Sequence, residues 1–155
     1  MDRVKGFTLV EIMVTIAVAA ILLGIAIPSF QTVSRNNAVR ATTNDLISTI
    51  NIARQQSMSM RTEVKVKPAS GGWGDGWELE FGSVDAGEDA EFAPGKGVSI
   101  SRTAGSGALE FLARGGRGDN SGNNAEFTVS HTDSSISSRT FCVSFFGKIT
   151  TGGCS

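Results

Sequence analysis

From Phe7 to Ile27 the chain runs for 21 residues with Glu11 as the sole ionisable side chain. At a helical rise of about 1.5 Å per residue, such a run spans about 30 Å, the thickness of a bilayer's hydrocarbon core. Six residues, Met1 to Gly6, precede it and carry Arg3 and Lys5. Cations on that side predict an N-terminus held in the cytoplasm and a chain exported beyond the helix. A secretory signal would have a shorter apolar core, roughly 7–15 residues, and a polar stretch before its small-residue cut. Here the apolar run continues past Ala19-Ala20 and reaches Pro28 without one.

Gly24 and Pro28 predict a loosened or kinked helix. Helical spacing then resumes at Val39, Thr43, Leu46, Ile50 and Ala53, with Ile47 beside them. Arg35, Asn36, Arg40, Asn44, Asp45 and Asn51 fall largely off that stripe. One long helix over Thr8 to Ser57 is expected, apolar all round in its first half and with one apolar face in its second. Beyond Met60 the period becomes two: Glu63 to Lys67 alternates, and Trp77, Leu79 and Phe81 share a face. Val98 to Ser101, Leu109 to Phe111, Phe127 to Val129 and Phe141 to Phe145 read as further short strands, separated by Gly, Ser, Asp and Asn clusters. The expected fold is α+β, a long N-terminal helix packed against antiparallel β-sheet. Its expected divisions are a leader at 1–6, a transmembrane and assembly helix at 7–33, and an exported domain at 34–155.

Composition narrows the chemistry. Fourteen Lys and Arg against fifteen Asp and Glu leave a formal charge of −1, so no global basic excess points to nucleic acid. One histidine, His131, and two cysteines cannot assemble a self-contained zinc site. His131 lies among Ser130, Thr132 and Asp133 with no GxSxG nucleophile elbow, which argues against nucleophilic catalysis. Residues 71–76 (GGWGDG) lack the spacing and the following helix of a phosphate cradle, and read as turn formers beside a strand that buries Trp77. Asp119, Asn120 and Asn123 lack the spacing and terminal Glu of a calcium loop and read as a solvated loop. Turn chemistry explains Arg117-Gly118-Asp119. No catalytic residue, cofactor or metal is expected.

The string Lys5-Gly6-Phe7-Thr8-Leu9-Val10-Glu11-Ile12-Met13 resembles the processing site of type IV pilins and type II secretion pseudopilins. Residues Ile52 to Ser57, then Trp73-Gly74-Asp75-Gly76-Trp77, and more weakly Phe111 to Gly115 and Cys142 to Lys148, are similar to the GspH/FimT family within that group. The resemblance covers most of the chain. It implies a structural part of a filament and not an enzyme. It implies a cut by prepilin peptidase between Gly6 and Phe7, N-methylation of Phe7, and a mature chain of 149 residues. That chain would wait in the bacterial inner membrane, domain in the periplasm, until an assembly platform extracts it. Pro28 stands where such proteins commonly carry a helix-kinking proline.

A carboxylate in an apolar helix costs about 2.5–3.5 kcal/mol at the bilayer centre, so Glu11 is expected to pair with the Phe7 amine of a neighbouring subunit and set register. The alternative is that Glu11, four residues from the mature end, reaches the lipid interface. Cys142 and Cys154 enclose eleven residues of an exported tail, and a disulfide is expected there; two free thiols are the alternative.

The expected function is a minor type IV pilin, a low-copy subunit of the initiating or tip complex, with the major pilin and other minor pilins as partners. A disulfide near the C-terminus looks more like a minor pilin than a secretion pseudopilin of the GspH type, which is the second reading. The third is a DNA-binding competence pilin. Arg102, Arg114, Arg117, Arg139 and Lys148 would form its patch, with Arg114, Arg117 and Lys148 as the nearest candidates for DNA contact. The GRxR-like turn of such proteins corresponds to Gly147-Lys148-Ile149-Thr150, which has one cation where the motif has two.

Overall fold

The computed structural model describes residues 7–82, 90–103, 107–119 and 124–154, and the backbone but not the side chain of Pro28. The expected leader with Gly6, and Asn120 and Asn123, lie outside the described residues. Two compact units are present, one ending at Ser34 and one from Arg35 to Ser155.

The helix α1 (Leu9–Met60) starts in the first unit and ends in the second, unbroken in secondary structure at Gly24 and Pro28. Within the first unit its large apolar side chains, from Leu9 through Ile21 to Val33, are exposed, as is Phe7 just before it. Its last turn reaches three residues beyond the expected Ser57. Arg61 then takes a left-handed φ of 51°, which ends the helix as a glycine usually does.

In the second unit, α1 buries Val39, Leu46, Ile50 and Ala53, the expected stripe, together with Thr42, Thr43, Thr49 and Ser57. The apolar period does not reveal Thr42, Thr49 and Ser57 because hydroxyl residues count as polar. They are tolerated in the core because each is hydrogen bonded. Thr49 Oγ1 donates to Asp45 O at 2.9 Å, Ser57 Oγ donates to Arg54 O at 2.8 Å, and Thr42 Oγ1 accepts the Gly95 N–H at 3.0 Å.

The strands, among the described residues, form two antiparallel sheets, in keeping with the expected α+β class. In the first, β1 (Val64–Ala69) lies between β2 (Gly72–Phe81) and β5 (Leu109–Phe111), and β3 (Ala90–Phe92) flanks β2. In the second the order is β4 (Val98–Arg102), β6 (Ala125–His131), β7 (Arg139–Val143), β8 (Ile149–Thr151). Strict alternation turns Val64, Val66, Trp77, Leu79, Leu109 and Phe111 of the first sheet, and Val98, Ile100, Phe127, Val129, Phe141 and Val143 of the second, into a single core. The opposite face of the first sheet carries ion pairs: Lys65 bridges Glu63 (2.9 Å) and Glu110 (3.3 Å), and Lys67 bridges Glu78 (3.1 Å) and Glu80 (2.7 Å).

Of residues 71–76 only Gly71 lies in the turn their glycines suggest; β2, which buries Trp77 as expected, already begins at Gly72. Pro68, which cannot donate to the ladder, pairs with Trp77, and its successor Ala69 pairs with Gly72, so Trp73 to Gly76 are looped out of register. That excursion carries Trp73 to the second sheet, edge-on to Phe127 with ring centroids 4.9 Å apart. Gly76 makes it possible: its φ is +140°, and a Cβ there would lie 2.3 Å from Phe92 O.

Candidate functional site

The apolar helix begins with a cap. Glu11 N donates to Thr8 Oγ1 at 3.3 Å and Thr8 N donates to Glu11 Oε2 at 3.4 Å, the reciprocal arrangement of a capping box. The Thr8-x-x-Glu11 spacing is the local signature of that box, which the carboxylate's charge alone does not reveal. Both bonds are long. The carboxylate lies at the positive end of the helix dipole and retains acceptor capacity for a cation beyond its own chain. Phe7, 80 % exposed, lies next to it in sequence.

At the other end of the chain, Cys142 in β7 and Cys154 are disulfide-bonded, with Cα atoms 5.1 Å apart. The tail is held a second time by Glu126 of β6, whose Oε2 accepts the Cys154 N–H at 2.7 Å. A two-bond anchor of this kind fixes β8, the three-residue edge strand, against β7.

The five cations proposed for a phosphate patch do not form one exposed set: two of them, Arg102 and Arg117, are enclosed on a shared carboxylate. The side chains of Arg102 and Arg117 are 2 % and 0 % exposed. Arg117 Nε donates to Asp119 Oδ1 at 2.8 Å, its Nη2 pairs with Asp119 Oδ2, and its Nη1 donates to Val143 O at 3.2 Å. Arg102 Nη2 donates to the same carboxylate at 3.1 Å. Burial pushes the Arg102 guanidinium below its ordinary pKa and Asp119 pulls it back up. Arg117 is therefore withdrawn as a DNA contact: its guanidinium is enclosed and held by a carboxylate and a backbone carbonyl. Asp119, expected in a solvated loop, is instead 13 % exposed and neutralises two arginines. Arg114, Arg139 and Lys148 remain exposed.

One residue that carried no expected role proves central. Arg54, on the last turns of α1, donates Nε–H to Gly115 O at 2.9 Å. Gly115 closes the turn after β5, where its N–H donates to Leu112 O at 2.7 Å. Gly147 lies in the turn between β7 and β8, and a Cβ on it would approach Arg54 Cδ to 2.9 Å and Gly115 O to 3.0 Å. Both glycines have positive φ, 79° and 74°. The two turns thus close on Arg54. A cavity of about 300 Å³ results, lined by Arg54, Arg114, Gly115, Gly116, Arg117, Phe145 and Phe146. Phe145 and Phe146 are 43 % and 75 % exposed, in edge-on contact.

Residues 42–147 match the family described as Type II transport protein GspH, and residues 1–27 match the Prokaryotic N-terminal methylation motif. No curated protein sequence matches the chain. Among solved structures, the type IV minor pilin FimU of Pseudomonas aeruginosa strain PAO1 is similar with a TM-score of 0.61 at 15 % identity, covering 76 % of this chain and 90 % of that one. The minor pseudopilin EpsH from the Type 2 Secretion System of Vibrio cholerae is similar with a TM-score of 0.57 at 8 % identity, covering 74 % of this chain and 96 % of that one. At these identities the likeness is one of fold: a long helix on antiparallel sheets.

Proposed function

Because the chain belongs to the GspH family, the minor pilins and pseudopilins of type IV pili and type II secretion, we propose that it is a minor type IV pilin, a low-copy subunit of the complex that initiates or tips the filament. The observation that carries a filament role is α1's first half, whose large apolar side chains are exposed among the described residues. Such a surface is stable only in lipid or against other apolar helices. The N-terminus stays cytoplasmic, prepilin peptidase cuts between Gly6 and Phe7, and the single-pass precursor waits in the inner membrane until the assembly platform extracts it. In the filament the apolar helix meets those of the major pilin and the other minor pilins, and Glu11 pairs with a neighbour's Phe7 amine.

The Cys142–Cys154 bridge supports the pilus over the secretion pseudopilus. A DNA receptor is disfavoured by the enclosure of Arg102 and Arg117. Deleting the gene separates the readings. Loss of surface filaments with secretion unchanged is expected. Unchanged filaments with secreted proteins retained in the periplasm would assign the chain to the secretion machine.

A further inference from the structure

We propose that the cavity between Arg54, Arg114 and the Phe145-Phe146 turn docks an apolar segment bearing a carboxylate, contributed by a neighbouring pilin-like subunit. The proposal rests on the filament reading above and adds a second contact, made by the soluble unit.

Three observations converge on that cavity. First, among the described residues from Arg35 onward, the exposed large apolar side chains are Ile52, Met58, Met60, Phe145 and Phe146. Phe145 and Phe146 form one wall, and Met58 lies over Gly115, where a Cβ would come within 2.6 Å of its sulfur. Aromatic, Met and Arg side chains with few Lys or Glu are the composition of interface centres. Second, none of the described lining residues is acidic. Asp119 neutralises Arg117, while among the described residues no carboxylate lines the cavity beside Arg54 and Arg114, and Lys148 adds a third positive charge in the adjoining turn. Third, Arg54 is fixed before any partner arrives. Its Nε–H is held by Gly115 O, so the guanidinium plane is set and little side-chain entropy remains to be lost on forming a bidentate carboxylate pair.

The shape favours protein over nucleic acid. Affinity for a phosphate backbone grows with the number of phosphates neutralised in a row. A single hollow of about 300 Å³ lined by three arginines, one of them already paired with Asp119, fits one anion and one apolar group instead.

A photoreactive phenylalanine analogue at Phe146, in the full chain expressed in its own bacterium, tests this, with the same probe at Ile16 of the apolar helix as comparison. The Phe146 probe is expected to capture a protein that itself carries an N-terminal methylation motif, through a peptide with a carboxylate beside apolar residues. Arg114→Glu, at an exposed position, is expected to cut that yield by about fivefold or more, as reversal of one partner in a charge pair does. Capture at Ile16 with none at Phe146 would overturn the docking pocket and leave the filament reading standing. A nuclease-sensitive adduct at Phe146, or capture indifferent to Arg114→Glu, would overturn it as well. Capture at neither position would remove the filament reading and the pocket together.

Discussion

Trp77 of β2 donates its indole N–H to the Thr49 hydroxyl of α1, 3.1 Å away, at the centre of the core. Both residues are about 1 % exposed. The same hydroxyl donates to Asp45 O, so one threonine satisfies its own oxygen and the indole of the largest buried side chain. Thr49→Val keeps the shape and strands the indole N–H, which costs about 1–3 kcal/mol. Urea denaturation of the detergent-solubilised chain should show that loss.

Asp119 neutralises two enclosed guanidiniums, so Asp119→Asn leaves buried positive charge without a counter-ion. A loss of about 3–5 kcal/mol is expected, against none measurable for Arg114→Gln at the surface. Thermal unfolding of both variants checks the contrast. Equal stability for the two would mean the arginines are not enclosed.

Reduction of Cys142–Cys154, which closes a ring with a sequence separation of 12, should destabilise the chain by about 3 kcal/mol on the chain-entropy account. Thiol labelling of the native protein should be silent. Glu126→Gln should weaken the tail further only in the reduced chain, where its bond to Cys154 N still ties that residue to β6.

The pH response follows from the surface pairs. Hydrogen bonding from Lys67 holds the Glu80 carboxyl below its ordinary pKa, and the Ser135 hydroxyl and N–H hold Asp133 below its own. Depressed carboxyls add stability that is present above their unfolded values, about 4, and is lost as pH falls through the folded ones. Glu63 and Glu110 raise Lys65, and Glu80 and Glu78 raise Lys67. Raised amines add stability that is present below about pH 10 and is lost as pH climbs through their folded values. Melting temperature should therefore be flat from about pH 5 to 9 and fall on both sides, shallowly, because these pairs are exposed.

Glu11 caps α1, and the proposed filament role adds a second, separable use of its charge. Glutamine can fill the capping box but cannot neutralise an amine, so Glu11→Gln should preserve membrane insertion and the helix start while losing filament incorporation. Glu11→Val should insert at least as well and also fail to assemble. Normal recovery of the Gln variant in filaments would assign Glu11 to capping alone.

How far the sequence reaches depends on the range of the interaction. The apolar run and the Val39, Leu46, Ile50, Ala53 stripe are local periodicities, and α1 follows them. The Trp73 excursion was hidden because glycine serves turns and irregular strands alike, and only the pairing of Pro68 with Trp77 decides between them. Arg102 and Arg117 looked like surface cations because charge usually marks the surface. The Arg117-x-Asp119 spacing was the one local hint that a carboxylate waits nearby. Arg54 meets Gly115 across 61 positions of sequence, a contact that no local pattern encodes.

The most direct measurement is mass spectrometry of filaments sheared from the cell surface. The account predicts that the chain is present at low copy, begins at an N-methylated Phe7, and is absent from the filaments of the Glu11→Val strain. A chain confined to the membrane with Met1 intact, in a cell whose major pilin is correctly processed, would contradict it.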